Sequence, residues 1–245
     1  MKKIYVVGIG PGENDMMTVQ AQKALKDAEV IIGYPVYLEL VKNFTEGKEI
    51  LSTPMKKEVD RCRMCFEQAV AGKTTAIVCS GDAGIYGMAS LIYELAGEFE
   101  PCEIEVIPGI TAASSGAAVL GAPLNHDFCV ISLSDLLTPW ELIEKRLEAA
   151  ADGDFAVAIY NPSSHKRHDY LKKACEIMLR KADGDRACGY VKNIGREGVI
   201  TKTCTLKELA DEEVDMFTTV FIGNSQTKII DGKLVTPRGY MKKYQ

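Results

Sequence analysis

Ser80-Gly-Asp-Ala-Gly-Ile-Tyr-Gly87 is the stretch whose reading decides the fold. It follows Ala76-Ile-Val-Cys79, an apolar run that reads as a buried strand. It precedes Met88-Ala-Ser-Leu-Ile-Tyr-Glu-Leu95, which reads as a helix. A strand that enters a glycine-rich turn and then a helix is where an open α/β sheet holds a small ligand. Glycines at 81, 84 and 87 let backbone come close to that ligand, and Asp82 puts one fixed charge beside it.

Working outward, short apolar runs alternate with helical patterns. Strands are expected around residues 4–7, 30–32, 75–79 and 103–107, with helices around 18–28, 57–71, 86–96 and 111–120. This alternation implies a parallel sheet covered on both faces. Leu120-Gly-Ala-Pro-Leu-Asn125 is rich in turn formers and breaks the pattern. Beyond it come strands near 128–133 and 155–160, helices near 139–151 and 164–180, and then closely spaced strands near 187–191, 199–204, 218–222 and 228–230. Close spacing suggests a partly antiparallel second sheet. The expectation is an α/β protein of two domains: residues 1–125 with a parallel sheet, residues 126–245 with a mixed one, and a ligand between them.

Composition narrows the function. The chain has 29 Lys+Arg against 34 Asp+Glu, a net charge of −5, which disfavours a nucleic-acid binder. No apolar run is long enough to span a bilayer, and the N-terminus enters a strand directly, so a cytoplasmic protein without membrane contact is expected. Eight scattered cysteines read as reduced thiols that pack as small apolar residues. Cys62-Arg-Met-Cys65 has metal-like spacing but no second pair, and His165-Lys-Arg-His168 lacks a supporting cluster, so no metal site is expected.

Gly8-Ile-Gly-Pro-Gly12 follows the first strand and invites a dinucleotide reading. Position 13 is Glu, where that fingerprint needs its third glycine, and Pro11 removes a donor that a phosphate would want. The second strand ends in Gly33-Tyr34, where a ribose-binding acid would stand. A dehydrogenase using NAD is therefore disfavoured, and a ligand without phosphate fits better.

Gly8-x-Gly-Pro-Gly12, Ser80-Gly-Asp-x-Gly-x-Tyr-Gly87 and Pro108-Gly-Ile-Thr-Ala112, in this order, resemble the motifs of the tetrapyrrole methylase family. Further segments extend the resemblance over essentially the whole chain, towards the corrin-forming members. They include His126-Asp-Phe128, Ser132-Leu-Ser-Asp-Leu-Leu-Thr-Pro-Trp140, Tyr160-Asn-Pro162, Gly195-Arg-Glu-Gly198, Val214-Asp-Met216, Gly223-Asn-Ser225 and Thr236-Pro-Arg-Gly-Tyr240. The resemblance implies S-adenosylmethionine as cofactor, S-adenosylhomocysteine as product, a tetrapyrrole as methyl acceptor and a homodimer. A methylase acting at a different ring carbon and a non-catalytic cofactor-binding module are the alternatives.

The same resemblance places Pro11, Gly81, Asp82, Ile85, Thr111 and Ala112 against the cofactor, with Tyr160, Asn161, Ala187 and Thr218 on the adenosine side. Asp82 either contacts the cofactor or caps its turn, and Thr111 is also suited to cap a helix. A macrocycle bearing carboxylates needs cations, for which Arg238 and Arg196 lead and Lys192 and Arg167 follow. Candidates for acid–base work are His126, Asp127, Ser134 and Asp135, among which the sequence does not choose.

Overall fold

The computed structural model describes residues 2–164 and 166–243. The chain divides into two compact units, Met1–Ala112 and Ala113–Gln245.

In the first unit β1 (Lys3–Gly8), α1 (Val19–Asp27), β2 (Val30–Gly33), α2 (Pro35–Leu40), β3 (Glu49–Ser52), α3 (Glu58–Val70), β4 (Thr75–Cys79), α4 (Ala89–Leu95) and β5 (Glu103–Ile107) follow one another. Thr18 starts α1 by accepting the Ala21 N–H at 3.1 Å, and Pro35 stands in the first turn of α2, where its missing N–H costs nothing. The strands form one sheet in the order β3-β2-β4-β1-β5, and every pairing is parallel. Strand residues alternate between two cores. Val6, Ile32 and Ile77 pack with Phe66 of α3 and Ile92 of α4. Val7, Ile31 and Val78 pack with Leu25 of α1 and Leu38 of α2. Because all five strands run the same way, their C-terminal residues share one edge, and the loops after β1, β4 and β5 leave from it.

Helix α5 (Ala112–Leu120) leads into the second unit. There follow β6 (Gly121–Ala122), β7 (Phe128–Ser132), α6 (Trp140–Asp152), β8 (Ala156–Tyr160), α7 (Tyr170–Met178), β9 (Ala187–Lys192), β10 (Ile200–Thr205), α8 (Leu206–Leu209), β11 (Thr218–Ile222), β12 (Lys228–Ile230), β13 (Lys233–Val235) and α9 (Tyr240–Lys243). The main sheet has the order β10-β9-β11-β8-β7, and a small sheet has the order β12-β13-β6. In the main sheet β7 and β8 are parallel and the other neighbours antiparallel, so it is mixed. Helices α6, α7 and α8 cover one face through Ile143, Leu147, Leu171, Cys175 and Leu206.

The division between units falls after the first residue of α5, ahead of the turn-rich stretch at 120–125. Packing gives the reason. A Cβ on Gly116 of α5 would lie 2.8 Å from the Phe221 ring of β11, and β6 pairs Gly121 with Leu234 of β13. Helix and strand are thus committed to the second unit.

All eight cysteines are free thiols. Cys62 and Cys65 lie on the buried face of α3, and the Cys65 thiol donates to Thr75 Oγ1 at 3.3 Å. Burial pushes the Cys65 and Cys175 thiols up to about 12. Only Cys102 and Cys129 are partly exposed. Titration of the native protein with a disulfide reagent at neutral pH is expected to modify Cys102 and Cys129 alone, and all eight after unfolding. Rapid reaction of Cys65 or Cys175 in the native state would contradict this packing.

Candidate functional site

The C-terminal edge of the first sheet is built from backbone. A Cβ on Gly8 would fall 2.7 Å from Gly109 N and 2.9 Å from Gly81 O, and one on Gly109 would fall 2.1 Å from Gly81 O. Only glycine permits three loops to meet so closely. Gly10 N–H donates to Gly81 O at 3.0 Å and Gly81 N–H to Gly10 O at 2.8 Å. Both residues have left-handed φ values, +73° and +71°.

Asp82 fastens this junction. Its Oδ1 accepts the Gly84 and Ile85 N–H groups at 2.8 and 3.1 Å, and its Oδ2 accepts the Gly109 N–H at 3.0 Å. The carboxylate therefore caps its own turn and straps the loop after β4 to the loop after β5. The capping role weighed from sequence is present; the strap to Gly109 gave no signal in sequence. Pro11 is buried beside these glycines, Thr111 and Ala112 are half-buried, and Ile85 is exposed. Pro11, Gly81, Asp82, Ile85, Thr111 and Ala112 accordingly stand on the three loops of one edge.

In the second unit, strand direction decides which candidates meet. Ser132 pairs with Tyr160, Lys192 with Thr218, and Ile200 with Lys192, so these residues stand at one edge of the main sheet. Tyr160 OH accepts the Ala113 N–H at 2.7 Å and so satisfies a free donor in the first turn of α5. Asn161 has φ +51°, and its Nδ2 donates to Ser132 Oγ at 2.9 Å. Thr218 donates to Asp215 Oδ1 at 3.0 Å, and Lys192 pairs with Asp215 at 2.7 Å. Burial pushes the Asp215 carboxyl up, but bonds from Lys192, the Phe217 N–H and Thr218 outweigh it and hold the group below its ordinary value. Arg196 follows β9 at this edge, with its guanidinium 5.5 Å from the Phe217 ring centre.

Ala187 is at the opposite end of β9, where its carbonyl accepts the Gly223 N–H. The structure does not bring it to Tyr160, Asn161 and Thr218. The same separation divides the acid–base candidates. His126 and Asp127 precede β7, exposed, with Nδ1 and Oδ2 3.5 Å apart. Ser134 and Asp135 follow β7 at the Tyr160 edge. There Arg167 Nη1 donates to Ser134 Oγ at 2.8 Å and lies 3.4 Å from Asp135 Oδ1, while Tyr170 OH donates to Asp135 Oδ2 at 2.6 Å. Asp135 raises the Tyr170 hydroxyl above its usual value. Tyr170 gives no signal in the sequence, whereas its ring neighbour Trp140 closes the Ser132–Trp140 motif. Arg238 is exposed beyond β13. His165 lies outside the described residues. Among the described residues no three or more His, Cys, Asp or Glu side chains are placed to hold a metal, and no helix is long and apolar enough to cross a membrane.

Two α/β units with glycine-built strand-end loops define a class. Residues 3–210 match the model of the Tetrapyrrole (Corrin/Porphyrin) Methylases, and the chain belongs to that family. Within it, the chain is 47% identical to "Cobalamin biosynthesis protein CbiHC" of Archaeoglobus fulgidus, covering 99% of this chain and 54% of that protein. It thus spans about half the length of that relative. It is also 47% identical to a "Probable cobalt-factor III C(17)-methyltransferase" of Methanocaldococcus jannaschii, over 99% of both chains. The crystal structure of the methyltransferase CobJ superposes with a TM-score of 0.89 at 36% identity, covering 96% of this chain and 99% of that one. The two-domain tetrapyrrole methylase fold expected from the motifs is the fold observed.

Replacing Asp82 with Asn exchanges one acceptor oxygen for a donor that faces another N–H. Asp82→Asn is expected to lower the stability of the ligand-free protein by about 1.5–3 kcal/mol, read by urea denaturation. An unchanged midpoint would mean that the strap to Gly109 carries no load.

Proposed function

We propose that the chain is an S-adenosylmethionine-dependent methyltransferase that methylates C17 of cobalt-factor III, or its metal-free counterpart precorrin-3B, with ring contraction, in cobalamin biosynthesis. The observation that carries this reading is the end-to-end match, 47% identity over 99% of both chains, to a relative named for that reaction. The cobalt form is preferred because it is the form in that name.

The residues present fit the cofactor. The three-loop edge offers close backbone, the apolar side chains of Pro11, Ile85 and Ile110, and no Lys or Arg within 8–12, 80–87 or 108–112. Such an edge suits an adenosyl sulfonium, or the thioether it leaves, better than a phosphate. Pro11, Gly81, Ile85, Thr111 and Ala112 would hold it, with Asp82 keeping the loops in register. When bound, the cofactor supplies an electrophilic methyl group on sulfur. The protein's contribution is position: the loops are fixed by their own backbone bonds before any ligand arrives, so little ordering remains to be done on binding. On the second unit, Tyr160 and Asn161 end β8 in a turn held by their own bonds to Ala113 and Ser132. Ser134 and Asp135 are the candidates retained for proton transfer, and Arg196 and Arg238 for substrate carboxylates. A cytoplasmic homodimer completes the proposal. Its free thiols suit a reducing compartment, and light scattering reads the dimer.

The purified protein, given methyl-labelled S-adenosylmethionine and cobalt-factor III, is expected to yield a product heavier by one methyl group. Calorimetry is expected to show micromolar cofactor binding, about 8 kcal/mol, with NAD silent. NAD binding without response to the methyl donor would overturn the assignment.

A further inference from the structure

At the C-terminal edge of β7 and β8 a guanidinium is held on one side only. Arg167 Nε donates to Ser164 Oγ at 3.0 Å, and Nη1 donates to Ser134 Oγ at 2.8 Å and reaches Asp135 Oδ1 at 3.4 Å. Nη2 has no partner among the described residues. The side chain is 17% exposed. An arginine placed only to neutralise Asp135 would meet it through two short bonds. Here the two short bonds go to serine hydroxyls, and Asp135 spends its other oxygen on Tyr170. The arrangement fixes the cation's direction and leaves one face of its fork open.

Beside it the chain does something costly. Leu136 and Leu137, which follow Asp135 directly, are 61% and 98% exposed. Their loop is anchored at both ends. Ser134 N–H donates to Ser132 Oγ, and Trp140, at the start of α6, packs on Tyr170 with ring centres 4.5 Å apart. Two bare leucines on a tethered loop, next to a half-buried cation with unused donors, match a ligand that is apolar across its face and anionic at its rim.

We propose that Leu136, Leu137 and Arg167 form a recognition site for the acceptor: the leucines lie against the face of the tetrapyrrole macrocycle, and Arg167 Nη2 takes a peripheral carboxylate. Ser134 and Ser164 act as positioning residues for the guanidinium. This rests on the tetrapyrrole methyltransferase reading above. It adds residues to that reading's substrate side, where sequence pointed first to Arg238 and Arg196.

The test compares wild type, Arg167→Met and Leu136→Ser/Leu137→Ser, using fluorescence titration with uroporphyrin as the carboxylated macrocycle, KM and kcat for cobalt-factor III, and calorimetry for S-adenosylmethionine. Both variants are expected to weaken uroporphyrin binding and raise KM about tenfold or more, with cofactor affinity unchanged. Added salt is expected to weaken wild type more than Arg167→Met, because only wild type has the ion pair to screen. The leucine variant changes side chains that are mostly exposed and tests the site even if Arg167→Met folds poorly. Wild type that binds uroporphyrin, with a leucine variant that binds it equally, overturns the inference and leaves the methyltransferase reading standing. Wild type that neither binds uroporphyrin nor turns over cobalt-factor III overturns both.

Discussion

The contact on which the C-terminal edge of the first sheet depends is backbone against backbone. Gly8, Gly81 and Gly109 end or follow three different strands and approach within distances that no side chain allows. Close packing of three peptide segments leaves polar groups that must be paired inside the junction. Gly10 and Gly81 exchange two bonds, and Asp82 collects the Gly84, Ile85 and Gly109 donors on one carboxylate. An anion in that position works because successive N–H groups point inward, the same field that would suit a bound anion. The protein has filled its own anion site with Asp82.

The second unit solves a related problem with side chains. Asn161, Ser132, Ser134, Arg167, Asp135 and Tyr170 form a chain of bonds along the ends of β7 and β8. Tyr160 spends its hydroxyl as an acceptor for α5, so its ring direction is fixed by a helix end. Asn161 takes the left-handed conformation that Asn tolerates better than most residues, which turns the chain towards Pro162 at once. These residues are rigid for reasons internal to the fold, and rigidity at a strand end is what a positioning site requires.

Much of the fold was legible because its strands are buried on both sides. β2 and β4 are buried throughout, and their apolar runs stand out in the sequence. β3 did not: it is an edge strand whose Glu49, Ile50 and Ser52 are exposed, so it carries little hydrophobic pattern. α2 is short and begins with Pro35, and β13 has a single buried residue, Leu234. Helix α4 is shorter than its sequence pattern implies. Residues 86–88 belong to the glycine loop because Tyr86 takes φ +55° and a Cβ on Gly87 would strike Ala83 O at 2.3 Å, so α4 begins only at Ala89.

Legibility of the site followed strand direction. In a parallel sheet every strand points its C-terminus at the same edge, so motifs read as strand then loop land together on that edge without further information. The 8–12, 80–87 and 108–112 segments therefore share one edge. In a mixed sheet the rule fails. β11 is antiparallel to β8, so its N-terminal Thr218 stands at the Tyr160 edge, while β9 runs with β8 and carries Ala187 to the far end. His126 and Asp127 precede a strand parallel to β8 and are displaced for the same reason. Residues that precede a strand running with β8, or follow one running against it, belong to the far edge. There Asp154 joins Arg186 at 3.0 Å and receives the Ser225 N–H at 2.8 Å. Asp154 precedes β8, Arg186 precedes β9 and Ser225 follows β11, so topology assigns this ion pair to fastening loops at the edge opposite Tyr160.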